Sequence, residues 1–361
     1  MLLDRPRVPL KQILLLGLLP SFLKIWIYRL HGARIGHDVR IGFGSVVVAD
    51  RMEIGSGTSI SFGTFIRGRE VKIGRYVHIG ALCAIDVEKL HIDDDARVTE
   101  QVYVGGPSLP ESYLKLGKRT IVMQMSWINP TKPIIVGDDT GIGGHCLLFT
   151  HGVWQSKLDG YPVTFAPITL GSNVWLPWRV FIMPGVTVGD NSTVGANSLI
   201  TKDLPAGCLA AGAPAKVLRT ADHYPGSVST EEKDEMVRSI LGEFLRFVSY
   251  HGIDVRKVID EPHMEVEVTQ TRTRWWRRSH RTFRLIYNPG GERELPHLPA
   301  DASTCYLSLT PIPDALRHQL TTQGAVWIDL GHKCRNSNSN DVAEEVAVFL
   351  RRYGLRFDRV E

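Results

Sequence analysis

IGSGTSISFGTFIRGREVK (54–72) places an aliphatic residue at every sixth position, Ile54, Ile60 and Ile66, then adds one residue before the beat restarts at Ile73. The stretch before it, IGHDVRIGFGSVVVADRME (35–53), and the one after it, IGRYVHIGALCAIDVEKLH (73–91), repeat the pattern, so Ile35, Ile54, Ile73 and Ile92 stand nineteen residues apart. A period of six cannot line one side of a helix, whose period is 3.6. It suits a coil of three short flat faces, each turning one aliphatic side chain inward at the same place. Stacked coils then bury a column of Ile, Val and Leu, and each coil contacts only its neighbours. Gly, Ser, Thr, Ala and Val near the corners let the chain turn.

The beat runs on through IDDDARVTEQVYV (92–104) and pauses over Gly105 to Lys115. It resumes from Leu116 to Leu148, stops again, and returns as LGSNVWLPWRVFIMPGVTVGDNSTVGANSLI (170–200), which makes about eight three-hexad turns. The second interruption begins at His151, and a loop base held by a rigid scaffold is where catalytic groups are expected. The first, GGPSLPESYLK (105–115), is rich in Gly, Pro and Ser and reads as a surface loop able to help cover an acceptor site.

PITLGSNVW (167–175), MPGVTVGDNSTVGANSLITKDLP (183–205) and AAGAPAKVLR (210–219) resemble the hexapeptide-repeat acyltransferases, most closely the galactoside and maltose O-acetyltransferase type over 135–219. The resemblance implies a left-handed parallel β-helix, a homotrimer and an acyl-CoA co-substrate, acetyl-CoA or another, with no metal expected. It implies a catalytic histidine near the start of the excursion, a place that His151 fills, with His145 as the rival or as a substrate contact. It implies a CoA groove formed by Trp178, Gly195, Ala196, Thr201, Lys202, Gly212, Pro214, Lys216 and Arg219. The lysines and the arginine suit CoA phosphates. Two departures matter. LPWR (176–179) puts Pro177 and Trp178 where the family has Gly and a small residue; Pro177 has no N–H, while Trp178 keeps one and adds an indole that can narrow the channel. The family's acceptor-binding asparagine is missing from VMQMSW (122–127), which leaves Gln124, Trp127 and Asn129 as substitutes.

The expected activity is O- or N-acyl transfer to a small-molecule or glycan acceptor, a sugar or an intermediate of surface-polysaccharide or secondary-metabolite synthesis. The alternative is a non-catalytic trimeric scaffold or binding protein on the same fold. A metal enzyme of the γ-carbonic-anhydrase kind would need several histidines to converge, and His78 and His145 do not show such spacing.

The 361 residues carry a net charge of +4, too mild for a nucleic-acid partner, and 22% charged residues, ordinary for a globular chain. Five scattered cysteines without a C-x-x-C pair argue against a disulfide framework or zinc site and for a reducing, cytoplasmic setting. Segment 1–31 has a twelve-residue uncharged run, Gln12 to Leu23, too short to span a bilayer. No small-residue cleavage site follows, so a signal peptide is not expected. It reads as an amphipathic segment packed on the protein's own end, or as an interfacial helix giving peripheral contact with an anionic membrane.

Domain organisation is thus 1–31, the coil 32–219, and a small α/β domain 220–361. In the last, 231–250 and a segment capped by Asp341 have helical spacing, as does 313–321. Met264–Thr269, Phe283–Tyr287, Cys305–Leu309 and 325–330 read as strands, and GHKCRNSNSN (331–340) as a polar loop. Asp329 at a strand end has a structural or a functional role open to it. TRTRWWRRSHRTFR (271–284) has six arginines and two tryptophans, a composition suited to phosphates, anionic glycans or lipid headgroups.

Overall fold

The computed structural model describes residues 9–107, 109–259, 263–274, 277–290 and 300–360. Arg5 and Arg7, and Trp275 and Trp276 of the arginine-rich stretch, lie outside the described residues. The chain divides into two compact units, Met1–Gly226 and Ser227–Glu361.

The first unit is mainly β: a coil of short parallel strands with three faces. The first face stacks Lys89–Ile92, Tyr113–Leu116, Ile134–Val136, Ile168–Leu170 and Thr187–Val188. The second stacks Arg97–Val98, Ile121–Val122, Gly141–Ile142, Trp175–Leu176 and Thr193–Val194. The third stacks Ala84–Asp86, Tyr103–Val104, Trp127–Asn129, Leu147–Phe149, Phe181–Ile182 and Leu199–Ile200. In the early coils Val46–Ile54 and Phe65–Ile73 run continuously from the third face to the next coil's first face, which accounts for the extra residue after Ile66.

The hexad aliphatics meet in one core, in which Ile54, Ile60, Ile66, Ile128, Leu148 and Ile200 are all buried. Fully burying such a side chain contributes about 1.5–3 kcal/mol, so the column supplies most of the coil's stability. Buried hydroxyls tie coil to coil at the corners: Thr58 Oγ1 donates to Gly74 O (2.7 Å) and accepts from Val77 N (3.2 Å). Corner residues between the second and third faces take left-handed backbone angles, with φ of 58° at Met125, 57° at His145, 60° at Arg179 and 58° at Asn197.

Two helices, Leu10–Gln12 continued through Ile13–Gly17, and Ser21–Leu30, close the first coil. Lys24 is buried and donates to Gly42 O (2.6 Å) and Ser45 O (3.0 Å). Ser21 Oγ accepts from Ile41 N (2.9 Å) and Tyr28 Oη from Val47 N (3.0 Å). Backbone groups that a further coil would satisfy are met by helix side chains instead.

The second unit is a seven-stranded mixed sheet running Asp254–Ile259, Met264–Arg274, Arg277–Asn288, Thr304–Ser308, Val326–Asp329, Cys334–Asn336 and Asp358–Val360 in order across it. Alternate residues serve opposite faces. Leu285, Cys305 and Leu307 join helices Thr230–Tyr250 and Asp341–Leu350 in one core, whereas Ile286 and Tyr306 join Leu320 of helix Asp314–Thr322 in another. Two expectations are corrected. Cys334–Asn336, within the stretch expected to be a polar loop, is a buried strand, because Arg335 pairs with Glu344 and Asn336 Nδ2 donates to Ala325 O. The helix expected to be capped by Asp341 is capped by Asn340, whose side chain accepts from Ala343 N (2.8 Å).

Candidate active site

Both breaks in the hexad beat leave the coil at the same edge, where the third face turns toward the first: after Val104 and after Phe149. Strand Leu147–Phe149 lies between Trp127–Asn129 and Phe181–Ile182, so the residue that follows it starts from a fixed frame. Thr150 points inward, with Oγ1 donating to Asn129 O (2.8 Å) and accepting from Lys132 N (3.0 Å). Its carbonyl accepts from Ala166 N (3.0 Å), and His151 and Phe165 form an antiparallel bridge. The excursion is therefore pinched at its neck. Across the neck the His151 ring stacks on Phe165, with centroids 5.2 Å apart and planes 13° from parallel.

His151 Nδ1 is buried and has no hydrogen-bond partner among the described residues. Beyond the neck, Trp154 is 99% exposed and Leu158 97% exposed. Apolar side chains so fully in solvent on one loop are unusual for a surface that stays uncovered.

His145 stands elsewhere. It is exposed, occupies a left-handed corner at the opposite edge of the third face, and donates its N–H to Gln124 O (3.0 Å). Six residues of extended chain, roughly 20 Å, separate it from His151, so within one chain it cannot orient that ring. Cys146 beside it is no nucleophile: burial pushes its thiol up to about 11, and Sγ bonds to Pro177 O (3.0 Å).

The expected CoA residues fall into three places. Trp178 and Ala196 share His145's edge, one coil apart, since Arg179 N donates to Gly144 O and Asn197 N to Trp178 O. The Trp178 indole lies over Gly144, where a Cβ would come 3.0 Å from Nε1. Gly144 thus lets the ring lie against the coil, and the ring stays 43% exposed. Gly195 meets Ala211 so closely that a Cβ would come 2.7 Å from the alanine Cβ, so coil stacking already requires that glycine. Thr201 and Lys202 lie on His151's edge instead. Gly212, Pro214, Lys216 and Arg219 belong to the terminal hairpin Leu209–Gly212 and Ala215–Arg219. Lys202, Lys216 and Arg219 are exposed and make no ion pair among the described residues.

Of the acceptor candidates, Gln124 lies at the His145 corner. Trp127 is exposed and packs edge to face with Tyr103 and Phe149, at 5.3 Å each, and Phe149 continues to Phe181 at 5.5 Å. Asn129 has a structural role. It is buried, and Oδ1 accepts from Thr131 Oγ1 (2.8 Å), bracing the turn beneath the first excursion. Sequence reasoning missed Phe165, which lies off the hexad beat, and the stripe Tyr103–Phe149–Phe181, although Tyr103 and Phe181 each stand one residue before a hexad aliphatic, Val104 and Ile182.

Residues 167–202 match the family model described as hexapeptide repeat of succinyl-transferase. A galactoside O-acetyltransferase of Escherichia coli K12 is 57% identical over 89 residues, 24% of this chain and 43% of the relative. Residues 167–202 of the coil are thus similar to a hexapeptide repeat. Among solved structures, a hexapeptide-repeat-containing acetyltransferase of Vibrio cholerae is 19% identical, covers 60% of this chain and 90% of that one, and has a TM-score of 0.28. A galactoside acetyltransferase in complex with coenzyme A is 23% identical, covers 50% and 70%, and also has a TM-score of 0.28. The chain spans less than half the length of the Escherichia coli relative, and the coil unit is followed by the separate sheet unit from Ser227.

Proposed function

We propose that this protein is an acyl-CoA-dependent O- or N-acyltransferase acting on a sugar or a glycan or secondary-metabolite intermediate, with His151 as general base. The observation that carries the proposal is the His151 ring itself. It is clamped against Phe165 at a pinched loop neck, with Nδ1 turned into the protein and Nε2 left as the nitrogen open to an incoming group. Nε2 takes the proton from the acceptor O–H or N–H as the acceptor atom attacks the thioester carbonyl. The C–S bond then breaks, the acyl group stays on the acceptor, and the thiolate takes the proton back to leave as CoA. The Trp178 N–H is a candidate donor to the oxyanion; the exposed Lys202, Lys216 and Arg219 suit the CoA phosphates.

Trp178 and His151 stand on opposite edges of the third face, while Lys202 shares His151's edge. Two copies meeting edge to edge would bring one copy's His151 beside the other's Trp178 and Ala196, and a closed ring of such contacts accommodates the homotrimer that the family resemblance implies. The exposed Trp154 and Leu158 suit a loop that lies on the neighbouring copy.

Melting curves with acetyl-, propionyl- and longer acyl-CoA test this reading. A rise in melting temperature that His151→Ala retains, while transfer to a panel of sugars is lost, is the expected result. No rise with any acyl-CoA would favour the scaffold reading, with the Trp178 indole closing the donor path.

A further inference from the structure

The two N-terminal helices carry a surface that acyl transfer does not use. Their inner side is pinned to the first coil by Ser21, Lys24 and Tyr28. Their outer side presents Leu14, Leu15, Leu18, Phe22, Trp26 and Leu30, each between 49% and 74% exposed. Phe22, Trp26 and Leu30 follow at four-residue steps, one stripe along the helix, and Leu18 extends it toward the preceding helix. No acidic residue occurs from Pro9 to His37, whereas Lys11, Arg29 and Arg34 there are exposed. Arg5 and Arg7 add to the positive count in sequence, against a single acid, Asp4.

We infer that this outer face docks the protein on an anionic phospholipid bilayer, lying in the interface without crossing it. Three observations select that occupant. The apolar stripe is broad and includes a tryptophan, as in helices that seat among acyl chains and headgroups. The cap's own charged residues are all basic, and although Arg34 pairs with Glu53 (3.0 Å), the exposed Lys11 and Arg29 match a negatively charged lipid surface, whereas a second copy would bring the same positive charge. The two helices are bent by 115° at Leu18–Pro20, and among the described residues no single helix is long and apolar enough to span a membrane. Straightening the pair would lift one helix off the coil, breaking either the Lys24 bonds to Gly42 O and Ser45 O or the bond from Gly44 N to Gly17 O (2.7 Å).

Flotation of the full-length protein with phosphatidylcholine vesicles, with and without 30% phosphatidylglycerol, tests the inference. The wild type should float with the anionic vesicles at least about tenfold more than with the neutral ones, and 0.5 M NaCl should reduce that preference. Phe22→Asp with Trp26→Asp should abolish flotation; both side chains are exposed, so the circular dichroism spectrum and melting temperature should stay at wild-type values. Failure of the wild type to float, equal flotation with neutral vesicles, or undiminished flotation of the double variant would overturn the inference. So would a concentration-dependent self-association of the wild type that the double variant relieves, because the face would then belong to a second copy. None of these results depends on whether the protein transfers an acyl group.

Discussion

At the scale of single residues, His151 and Asp329 show two ways for a polar side chain to be held. His151 is fixed by shape, between a ring stacked on one side and a neck closed by Thr150 and Ala166, and neither ring nitrogen has a hydrogen-bond partner among the described residues. General-base action is worth about 10²–10⁴-fold. His151→Ala should therefore lower turnover by that factor and leave the melting temperature within a degree or so, as read by CoA release and calorimetry. Asp329 is fixed by bonds. Burial works to raise its carboxyl pKa, but donation from His332 N (2.8 Å), Ile312 N (2.9 Å) and Arg317 (2.6 Å), with the His332 ring alongside, outweighs it and holds the group below the ordinary range. A depressed carboxyl stabilises the fold above its unfolded value, about 3.9, and that contribution is lost as pH falls through the folded value. Asp329→Asn should cost about 3–5 kcal/mol at pH 7, and the gap to wild type should narrow in calorimetry below about pH 4. A gap that stays constant to pH 3 would contradict this. Saturated by these bonds, Asp329 serves as an internal latch.

At the scale of elements, the helical cap is as much part of the coil as any strand. Lys24, which in sequence only interrupts an apolar run, is buried, its pKa lowered by desolvation, with its ammonium on Gly42 O and Ser45 O. Lys24→Met keeps the apolar stem and leaves Ser45 O without its donor, while Gly42 O keeps Ser45 N (3.2 Å); a buried group left unpaired costs about 1–3 kcal/mol. The melting temperature should drop by several degrees, and an unchanged value would show that the cap is dispensable. This is also where sequence reasoning reached its limit. The hexads at Ile54, Ile60 and Ile66 were legible because a coil's core pattern is local and periodic. His151 was legible because the beat stops there. Lys24, Asn129 and Phe165 were not, since each owes its position to a chain crossing that no periodicity records: a helix over an open coil end, a turn under an excursion, a loop returning on itself.

At the scale of the whole molecule, the account depends on geometry that a single coil does not complete. His151 occupies one edge of the third face, and Trp178 and Ala196 the other, so the proposed base and the proposed oxyanion donor would meet across two copies. The arginine-rich hairpin and the mixed sheet after Ser227 form a separate compact unit, to which the proposed transfer chemistry assigns no step. The most direct measurement is a crystal structure of the protein with CoA bound. The account predicts a trimer in which each CoA thiol lies beside Trp178 of one copy and within reach of one intervening acceptor atom from His151 of the next. A CoA thiol remote from every His151, or a His151 ring facing bulk solvent with no neighbouring copy alongside it, would contradict the account.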